Sequence, residues 1–311
     1  MNLKHASFFT MLILGLFLTS CEEDTDLTPD PDEKQGKFEL EITDAPVDDP
    51  AVKSVFVTIS DVQIDDQSLP DFSPVTLDLL TLQNGTTSML GSDSITVGTY
   101  NDIAIVLDTG ECYVEDVDGI RHDLIPETSV IELAHEFTVS EDSAVQLVLD
   151  FDLRKTVHRN LTDSIDRYDF VSASDMTNAL RIVDKATVGQ LTGQVTDAST
   201  ESDIIVAYVY EQGEFDANTE ADVSDESQIR FANAVSSAMV QPDGSYDFSF
   251  LESGEYELQF GSFDENTTTG ETEFRGILEV DPSMMEDVLN ITVTPSVTTE
   301  VDLSVTGLLP F

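Results

Sequence analysis

Hydrophobic and polar residues alternate along most of the chain from residue 37 onward. In the first such segment Phe38, Leu40 and Ile42 fall on one side of an extended chain, and the residues between them fall on the other. The same alternation recurs at 55–59, 100–107 and 145–153, and Asn-Gly or Asp-Gly turn pairs occur at 84–85, 118–119 and 243–244. A period of two is typical of strands with one buried face. The sequence therefore predicts an all-β fold, with a short helix expected only within 79–90.

Length and pattern together predict two domains. The chain has 311 residues, and single hydrophobic cores rarely grow beyond ~250 residues. A strand-like segment at 180–184 closes one alternating region, and residues 189–195 open another. We therefore expect two consecutive β-sandwich domains, at 37–187 and 188–311.

Residues 1–20 are a predicted signal peptide. Their apolar run at 8–18 is too short for the ~20 residues of a membrane-spanning helix, and it ends just before Cys21. The segment LTSC at 18–21 resembles a bacterial lipobox, which implies that Cys21 is lipidated and becomes the mature N-terminus. The alternative is an ordinary secreted protein that is cleaved nearby. Lipidation leaves Cys112 without a disulfide partner, and its strand-like surroundings favour a buried, inert thiol.

Acidic residues dominate the composition. The chain has 62 Asp and Glu against 13 Lys and Arg, a formal net charge of −49. Nucleic acid is not expected as a partner, because phosphate binding needs a basic patch. Residues 21–36 are too acidic and too proline-rich to pack, so they predict an extended tether. Because this charge repels anionic lipid, the acyl chains on Cys21 must supply the attachment to the membrane.

The acidic cluster directly behind Cys21 resembles the export signal of Bacteroidetes lipoproteins. That resemblance implies a lipid-anchored protein of the outer membrane that is exposed at the cell surface. A periplasmic location, with the acidic cluster as a simple solvated tether, is the alternative.

Five segments of the first domain resemble a known family. They are residues 43–46, 77–85, 98–100, 148–157 and 181–184. In this order they resemble the bacterial lipoprotein domain of unknown function family four-three-eight-two. The resemblance implies an architecture and a habitat, and it implies no activity because none is assigned to the family.

The second domain resembles the carboxypeptidase regulatory-like, transthyretin-like sandwich. The matching segments are residues 191–195, 204–210 and 242–258, where an Asp-Gly turn starts one strand and a Ser-Gly-Glu-Tyr corner starts the next. The resemblance implies an accessory spacer or binding unit without catalytic residues. An acidic insertion at 214–228 departs from the family pattern.

Paired carboxylates near the end of one strand are the first candidate site. In residues 145–154 the odd-numbered positions form an apolar face, so Asp150, Asp152 and Arg154 are expected to project from the other. Asp150 and Asp152 then form a candidate metal or polar-ligand site. The alternative is that Arg154 and Lys155 neutralise them.

Asp44 is the second candidate metal ligand, because it has the parity of the apolar face of its strand. An acid on an inward face must be paired, cap a turn or bind a cation. An Asx turn before Ala45 and Pro46 is the simpler expectation for this residue.

The acidic insertion supplies the third candidate. Asp216, Asn218, Glu220 and Asp222 have the 1, 3, 5, 7 spacing of a calcium loop. The segment fails as an EF-hand, because Ala221 stands where Gly is needed and Ser227 where a bidentate Glu belongs. A loop-borne Ca²⁺ site and a plain solvated loop are both open, and no cofactor is required.

No sequence motif indicates a catalytic class. The chain lacks a nucleophile elbow, a P-loop and a dinucleotide-binding glycine pattern, and its four histidines are isolated. We expect a non-catalytic binding or assembly module of the cell envelope, braced by calcium, with an envelope protein or a glycan as partner. The alternatives are a glycoside hydrolase or other carboxylate-dependent enzyme, and a structural spacer without a ligand. The absence of Trp weighs against tight stacking of a sugar.

Overall fold

The computed structural model describes residues 34–45, 51–159, 167–197, 204–221, 229–266 and 271–310. About 60% of the described residues are in strands and about 10% are in helices, which confirms the all-β prediction. Lys34–Phe311 form one compact unit. The signal peptide, Cys21 and nearly all of the tether lie outside the described residues, so the lipid anchor stays a prediction.

The first set of elements lies within residues 34–184, which we call the N-terminal body. Its strands are β1 (Gln35–Thr43), β2 (Val52–Ile64), β3 (Gln67–Ser68), β4 (Val75–Asp78), β5 (Ser88–Thr96), β6 (Gly98–Leu107), β7 (Tyr113–Asp116), β8 (Arg121–Asp123), β9 (Val130–Val139), β10 (Val145–Phe151), β11 (Val157–Arg159), β12 (Tyr168–Phe170) and β13 (Leu180–Asp184). Its helices are α1 (Leu153–Thr156) and α2 (Ala173–Ala179), and a 3-10 helix spans Leu79–Leu82.

Two sheets of the N-terminal body share one hydrophobic core. One sheet has the order β13-β10-β1-β5, and the other has the order β8-β7-β2-β6-β9, with β3 and β4 also paired to β2. Strand β1 runs parallel to β10 and antiparallel to β5. Phe38, Leu40 and Ile42 of β1 are fully buried and pack in the same cluster as Val55 and Val57 of β2. The alternation in the sequence thus faces one sheet against the other.

The helix expected within 79–90 is limited to the 3-10 turn Leu79–Leu82. Asn84 and Gly85 follow with φ angles of 54° and 73°. Asn and Gly tolerate this left-handed conformation, which reverses the chain and lets β5 begin at Ser88.

The remaining elements lie within residues 188–310, which we call the C-terminal body. Its strands are β14 (Val188–Asp197), β15 (Ile204–Glu211), β16 (Ser236–Met239), β17 (Ser245–Glu252), β18 (Gly254–Asn266), β19 (Glu271–Val280), β20 (Ile291–Val293), β21 (Thr298–Glu300) and β22 (Leu303–Pro310). Its helices are α3 (Ala217–Glu220) and α4 (Met285–Leu289).

The C-terminal body is built around a continuous ladder of strands. Its order is β16-β15-β18-β19-β22-β14-β17, with β20 on β18 and β21 on β14. Strand β14 changes partners along its length, because its first part pairs with β17 and its last three residues pair with β22. A strand that changes partners in this way turns the corner between two packed sheets.

Strand β15 is buried on both of its faces. Ala207 and Val209 belong to the main core cluster, whereas Tyr208 and Tyr210 belong to a second cluster on the opposite face. That second cluster includes Phe231 from the segment that follows the acidic insertion. The described part of the insertion and the residues after it therefore cover a sheet face with apolar side chains.

The two bodies meet through a small apolar cluster. Val148 of β10 and Val183 of β13 pack with Val188 of β14, and Phe250 of β17 packs against them. This contact explains why β10 is buried on both faces near its end. It also places the acidic end of β10 against the C-terminal body.

Candidate functional site: a charged seam between the bodies

Three of the predicted ligand residues come together where the two bodies meet, a region that we call the seam. Asp44, Asp150 and Asp152 are 5%, 5% and 4% exposed. The seam consists of these three acids, the bases Arg154, Lys155 and Arg181, and the residues of the C-terminal body that they face, namely 229–237 and 247–250.

Asp150 is paired with an arginine that the sequence reasoning missed. Asp150 and Arg181 are register partners in the β10–β13 ladder. Arg181 Nη2 lies 2.7 Å from Asp150 Oδ2, and Nε donates to the same oxygen at 2.9 Å. Burial raises the pKa of Asp150, and the charge of Arg181 opposes that rise. The carboxylate is therefore held in a buried ion pair.

The strand expected to run through Arg154 ends at Phe151. The backbone N–H groups of Lys155 and Thr156 both donate to the carbonyl of Asp152 at 3.1 Å, so the chain turns into α1. Leu153 stays fully buried in the core through this turn. The prediction that Asp150, Asp152 and Arg154 project from one strand face is therefore wrong, because Asp152 lies beyond the end of the strand and Arg154 lies in α1.

Asp152 is neutralised by the two bases that follow it, which is the alternative considered from the sequence. Arg154 Nη2 lies 3.3 Å and Lys155 Nζ 3.6 Å from Asp152 Oδ2. Burial lowers the pKa of the Lys155 ammonium, and the charge of Asp152 counters this effect.

The three seam bases also reach across to backbone carbonyls of the C-terminal body. Arg154 Nη1 donates to the carbonyl oxygens of Arg230 at 2.8 Å and Phe231 at 2.9 Å. Lys155 donates to the carbonyl of Ala234, and Arg181 Nη1 donates to that of Phe250 at 3.0 Å. Hydrogen bonds from charged donors are stronger than neutral ones. The acids orient the bases, and the bases join the bodies.

Two of the accepting carbonyls belong to strained residues. Phe231 has a φ of 53° and Phe250 a φ of 58°. A bulky aromatic residue in the left-handed region is an outlier, and such strain costs of order 1–3 kcal/mol. The arginine hydrogen bonds to these carbonyls help to hold the strained backbone in place.

Asp44 lies at the end of β1 beside the same charged group. Its Oδ1 accepts the backbone N–H of Leu153 at 3.1 Å. Burial raises the pKa of Asp44 well above its usual range, and the nearby Asp152 and Asp150 raise it further. The Asx turn expected from the sequence includes Pro46, which lies outside the described residues. Such a turn needs the N–H two residues along, and a proline has none to donate.

The described residues of the predicted calcium loop make hydrogen bonds within the C-terminal body. Asp216 Oδ1 accepts the N–H of Asn218 at 2.9 Å and so caps α3. Glu220 is buried, accepts the hydroxyl of Tyr210 at 2.9 Å and is bonded by Asn233. Asp222 lies outside the described residues. Within the described part of the loop, the predicted ligands thus serve a helix cap and a buried hydrogen-bond network.

Three clefts and one small cavity are relevant to binding. A cleft of about 470 Å³ lies along α2 and the seam and is lined by Lys155, His158, Ser172, Asp175, Asn178 and Asn233 among others. A cleft of about 490 Å³ is lined by Glu211, Glu252, Glu255 and Tyr256 among others. A third, of about 520 Å³, lies at Thr192, Gln194 and Glu300. A small pocket of about 20 Å³ lies beside Asp44.

No group of three or more His, Cys, Asp or Glu side chains that could hold a metal ion is found among the described residues. Within the same residues, no helix is long and apolar enough to cross a membrane.

Arg181 and Ser237 complete the seam, and neither was singled out from the sequence. The sequence could have indicated Arg181, because it stands between the apolar residues Leu180 and Ile182 and is one of only 13 bases in the chain. Nothing in the sequence indicates Ser237, because it reaches the seam only through the packing of one body on the other.

Comparison with solved structures gives alignments of low identity. The Bacillus anthracis TIE protein is 10% identical with a TM-score of 0.20, and the alignment covers 87% of this chain and 34% of that one. The chain therefore spans about a third of that protein. The minor pilin GBS52 of Streptococcus agalactiae is 10% identical with a TM-score of 0.19, covering 88% and 99%. The shaft pilin of Lactobacillus rhamnosus is 9% identical with a TM-score of 0.20, covering 89% and 100%.

A comparison with curated proteins finds no match. Residues 35–171 match the family model described as "Domain of unknown function (DUF4382)", which confirms the family resemblance predicted for the first domain.

Proposed function

We propose that this chain is a lipid-anchored protein of the cell envelope that acts as a non-catalytic binding or assembly module. Cys21 attaches it to the outer membrane, and the acidic tether holds the folded part away from the bilayer at the cell surface. The partner is an envelope protein or a glycan, and the charge of −49 argues against nucleic acid.

The observation that carries this proposal is the use made of the charged groups at the seam. Asp150 and Asp152 are buried against bases, and those bases bind backbone carbonyls of the other body. Groups used in this way are not available for acid–base chemistry. Their effect is to fix one body on the other, so that surfaces of both bodies are presented in a constant arrangement.

The cleft along α2 is the surface that we assign to partner binding. It lies where the two bodies meet, combines an apolar floor of Val171 and Ala179 with the polar groups of His158 and Asn178, and measures about 470 Å³. Ligand sites concentrate at such junctions between bodies. Lys155 also lines this cleft, with its ammonium held by Asp152 and the carbonyl of Ala234.

The second candidate function is a glycoside hydrolase, and a different cleft favours it. Glu211, Glu252 and Glu255 line an open cleft of about 490 Å³ together with Tyr256. Glycosidases use two carboxyl groups on either side of the scissile bond. The pair Asp44 and Asp150 does not serve this chemistry, because its cavity of about 20 Å³ is too small for a sugar ring.

A cleft-blocking variant tests the binding module. In Asn178→Trp the indole occupies the cleft along α2, whereas Thr177→Trp places the same side chain one residue earlier on the exposed helix surface. The full-length protein in detergent is cross-linked to envelope extract and to immobilised envelope glycans. We expect the wild type and Thr177→Trp to capture the same partner, and Asn178→Trp to lose it.

The same samples distinguish the alternatives. Release of reducing sugar from the glycans by the wild type, abolished in Glu252→Gln, establishes the hydrolase and overturns the proposal. Equal capture by all three proteins removes the α2 cleft as the binding surface. Capture by none of them leaves the chain as a structural spacer.

A further inference from the structure

A small pocket lies beside Asp44, where the two bodies meet. It measures about 20 Å³, which is room for about one water molecule. The N-terminal body lines it with Asp44, Asn84 and Asp150, and the C-terminal body lines it with Ser237 and Asp247. Asn84 and Asp247 also line the neighbouring cleft, so the pocket opens on that side. The carboxyl group of Asp44 therefore borders the C-terminal body.

Two side chains at this pocket have an oxygen atom without a hydrogen bond. They are Asp44 Oδ2 and Ser237 Oγ, which have no partner in the described part of the chain. Both residues are buried, and buried polar atoms nearly always have a partner. An ionised carboxylate only accepts hydrogen bonds, whereas a protonated carboxyl group also donates one, and a serine hydroxyl can accept it. A proton on Asp44 therefore allows both oxygens to be satisfied, either directly or through one water.

The charged groups around Asp44 leave it without a compensating base. Three other acids lie near it, namely Asp150, Asp152 and Asp247. Each of the three seam bases is bound to Asp150 or Asp152, and no ion pair among the described residues includes Asp44. Asp247 is held by hydrogen bonds from uncharged side chains, and the remaining residues that line the pocket are uncharged. Ionising Asp44 buries one more negative charge without a partner, which is costly. Burial and the neighbouring acids also account for the raised pKa of Asp44.

We infer that Asp44 carries a proton in the folded protein and that this proton links it to Ser237 of the C-terminal body, which makes the seam sensitive to pH. When the proton leaves, the donor is lost, and a carboxylate without a base faces Asp150 and Asp247. The seam then loosens on the side of this pocket, while the ion pairs of Asp150 and Asp152 stay in place. A rise in pH therefore weakens the contact between the bodies.

The stability that Asp44 contributes is expected to fall as the pH rises. Its pKa is higher in the folded protein than in the unfolded chain, so the contribution of the protonated form is fully present below the unfolded pKa. That contribution is lost as the pH rises through the folded pKa. Between the two values, the unfolding equilibrium constant increases about tenfold for each pH unit.

Asp44→Asn tests this inference, because an Asn side chain imitates the protonated acid. Its amide oxygen can accept the N–H of Leu153 and its NH₂ group can donate in place of the proton, but it does not titrate. Urea unfolding of the full-length protein in detergent is measured from about pH 4 to about pH 9. We expect the wild type and the variant to be nearly equal in stability at the lowest pH. As the pH rises, we expect the wild type to become the less stable of the two.

The matched control is Asp71→Asn. Asp71 is exposed and has a φ of 57°, which Asn also tolerates. We expect this variant to keep the pH dependence of the wild type, because the exchange of an exposed acid does not change the seam.

Infrared spectroscopy detects the proton on Asp44 directly. A protonated carboxyl group has a carbonyl band that an ionised one lacks, and the difference spectrum between the wild type and Asp44→Asn isolates the band of this residue. We expect the band at about pH 5, which is above the ordinary pKa of Asp, and we expect it to disappear as the pH rises. Ser237→Ala removes the acceptor of the proton, so the band is expected to disappear at a lower pH than in the wild type. At alkaline pH, hydrogen exchange in β16 and β17 is expected to be faster in the wild type than in Asp44→Asn.

Three outcomes overturn the inference. They are the absence of a carboxyl band of Asp44 at about pH 5, a pH dependence of stability that is the same in Asp44→Asn and the wild type, and a band that disappears at the same pH in Ser237→Ala and the wild type. Should Asp44→Asn fail to fold, the infrared titrations of the wild type and Ser237→Ala decide alone. Capture of a partner through the α2 cleft does not enter any of these readouts, so their failure is distinct from a failure of the proposed function.

Discussion

Replacement of Arg154 with alanine is expected to loosen the joint between the two bodies. The guanidinium is 4% exposed and bonds the carboxylate of Asp152 and the carbonyls of Arg230 and Phe231. Removing it leaves Asp152 with Lys155 as its ion-pair partner, and it takes this donor from one buried and one partly buried carbonyl. Loss of one partner of a buried charge pair costs about 3–5 kcal/mol, because the other groups stay desolvated. That is a large part of the 5–15 kcal/mol typical of a folded protein.

The matched control is Arg121→Ala. Arg121 also forms an ion pair, with Asp123, but its side chain is 45% exposed, so its loss is expected to cost at most about 1 kcal/mol. Urea unfolding followed by far-UV circular dichroism measures both losses. Hydrogen exchange then locates the damage, which we expect at 229–237 and in β17. A loss for Arg154→Ala no larger than that for Arg121→Ala would refute the reasoning.

Three further predictions concern stability and reactivity. Gly193→Ala is expected to unfold at a lower urea concentration, because its Cβ would lie 1.9 Å from the carbonyl oxygen of Val301. The Asp116 carboxylate has a lowered pKa, since the N–H of Ile120 and other donors outweigh its burial. The stability that this carboxylate contributes is present above its unfolded pKa and is lost as pH falls through the lower folded value. Urea unfolding at about pH 6 to about pH 2 is expected to show a larger loss of stability for the wild type than for Asp116→Asn. Cys112 is buried with a raised pKa and is expected to react with iodoacetamide only in denaturant, as mass spectrometry will show.

The parts of the fold that follow from local pattern were predictable. The alternation of Phe38, Leu40 and Ile42 fixes the inner face of β1, and the Asn84-Gly85 pair fixes the turn before β5. Each of these depends on the residues themselves and their immediate neighbours, through side-chain direction in a strand and tolerance of positive φ. Fold class could therefore be predicted from the sequence alone.

The seam was not predictable, because it depends on contacts between distant segments. Strand parity placed Asp150 on a face opposite the apolar residues, but that face is covered by the C-terminal body. The alternation of residues also predicted that the strand continues through Arg154, whereas the strand ends at Phe151 and a helical turn follows. The partner of Asp44 was not predictable either, because the N–H that it accepts belongs to Leu153, 109 positions away in the sequence. Local rules give the direction of a side chain but not what is packed against it.

The distribution of charge explains why the joint between the bodies is built as it is. A net charge of −49 makes the two bodies repel each other, so the contacts between them have to overcome that repulsion. Three of the 13 bases, Arg154, Lys155 and Arg181, are placed at the seam, where each meets a carboxylate and a carbonyl of the other body. Because carbonyls carry no net charge, these bonds add attraction without adding further acid to the seam. The local balance of charge, rather than the total, is therefore what holds the two bodies in one compact unit.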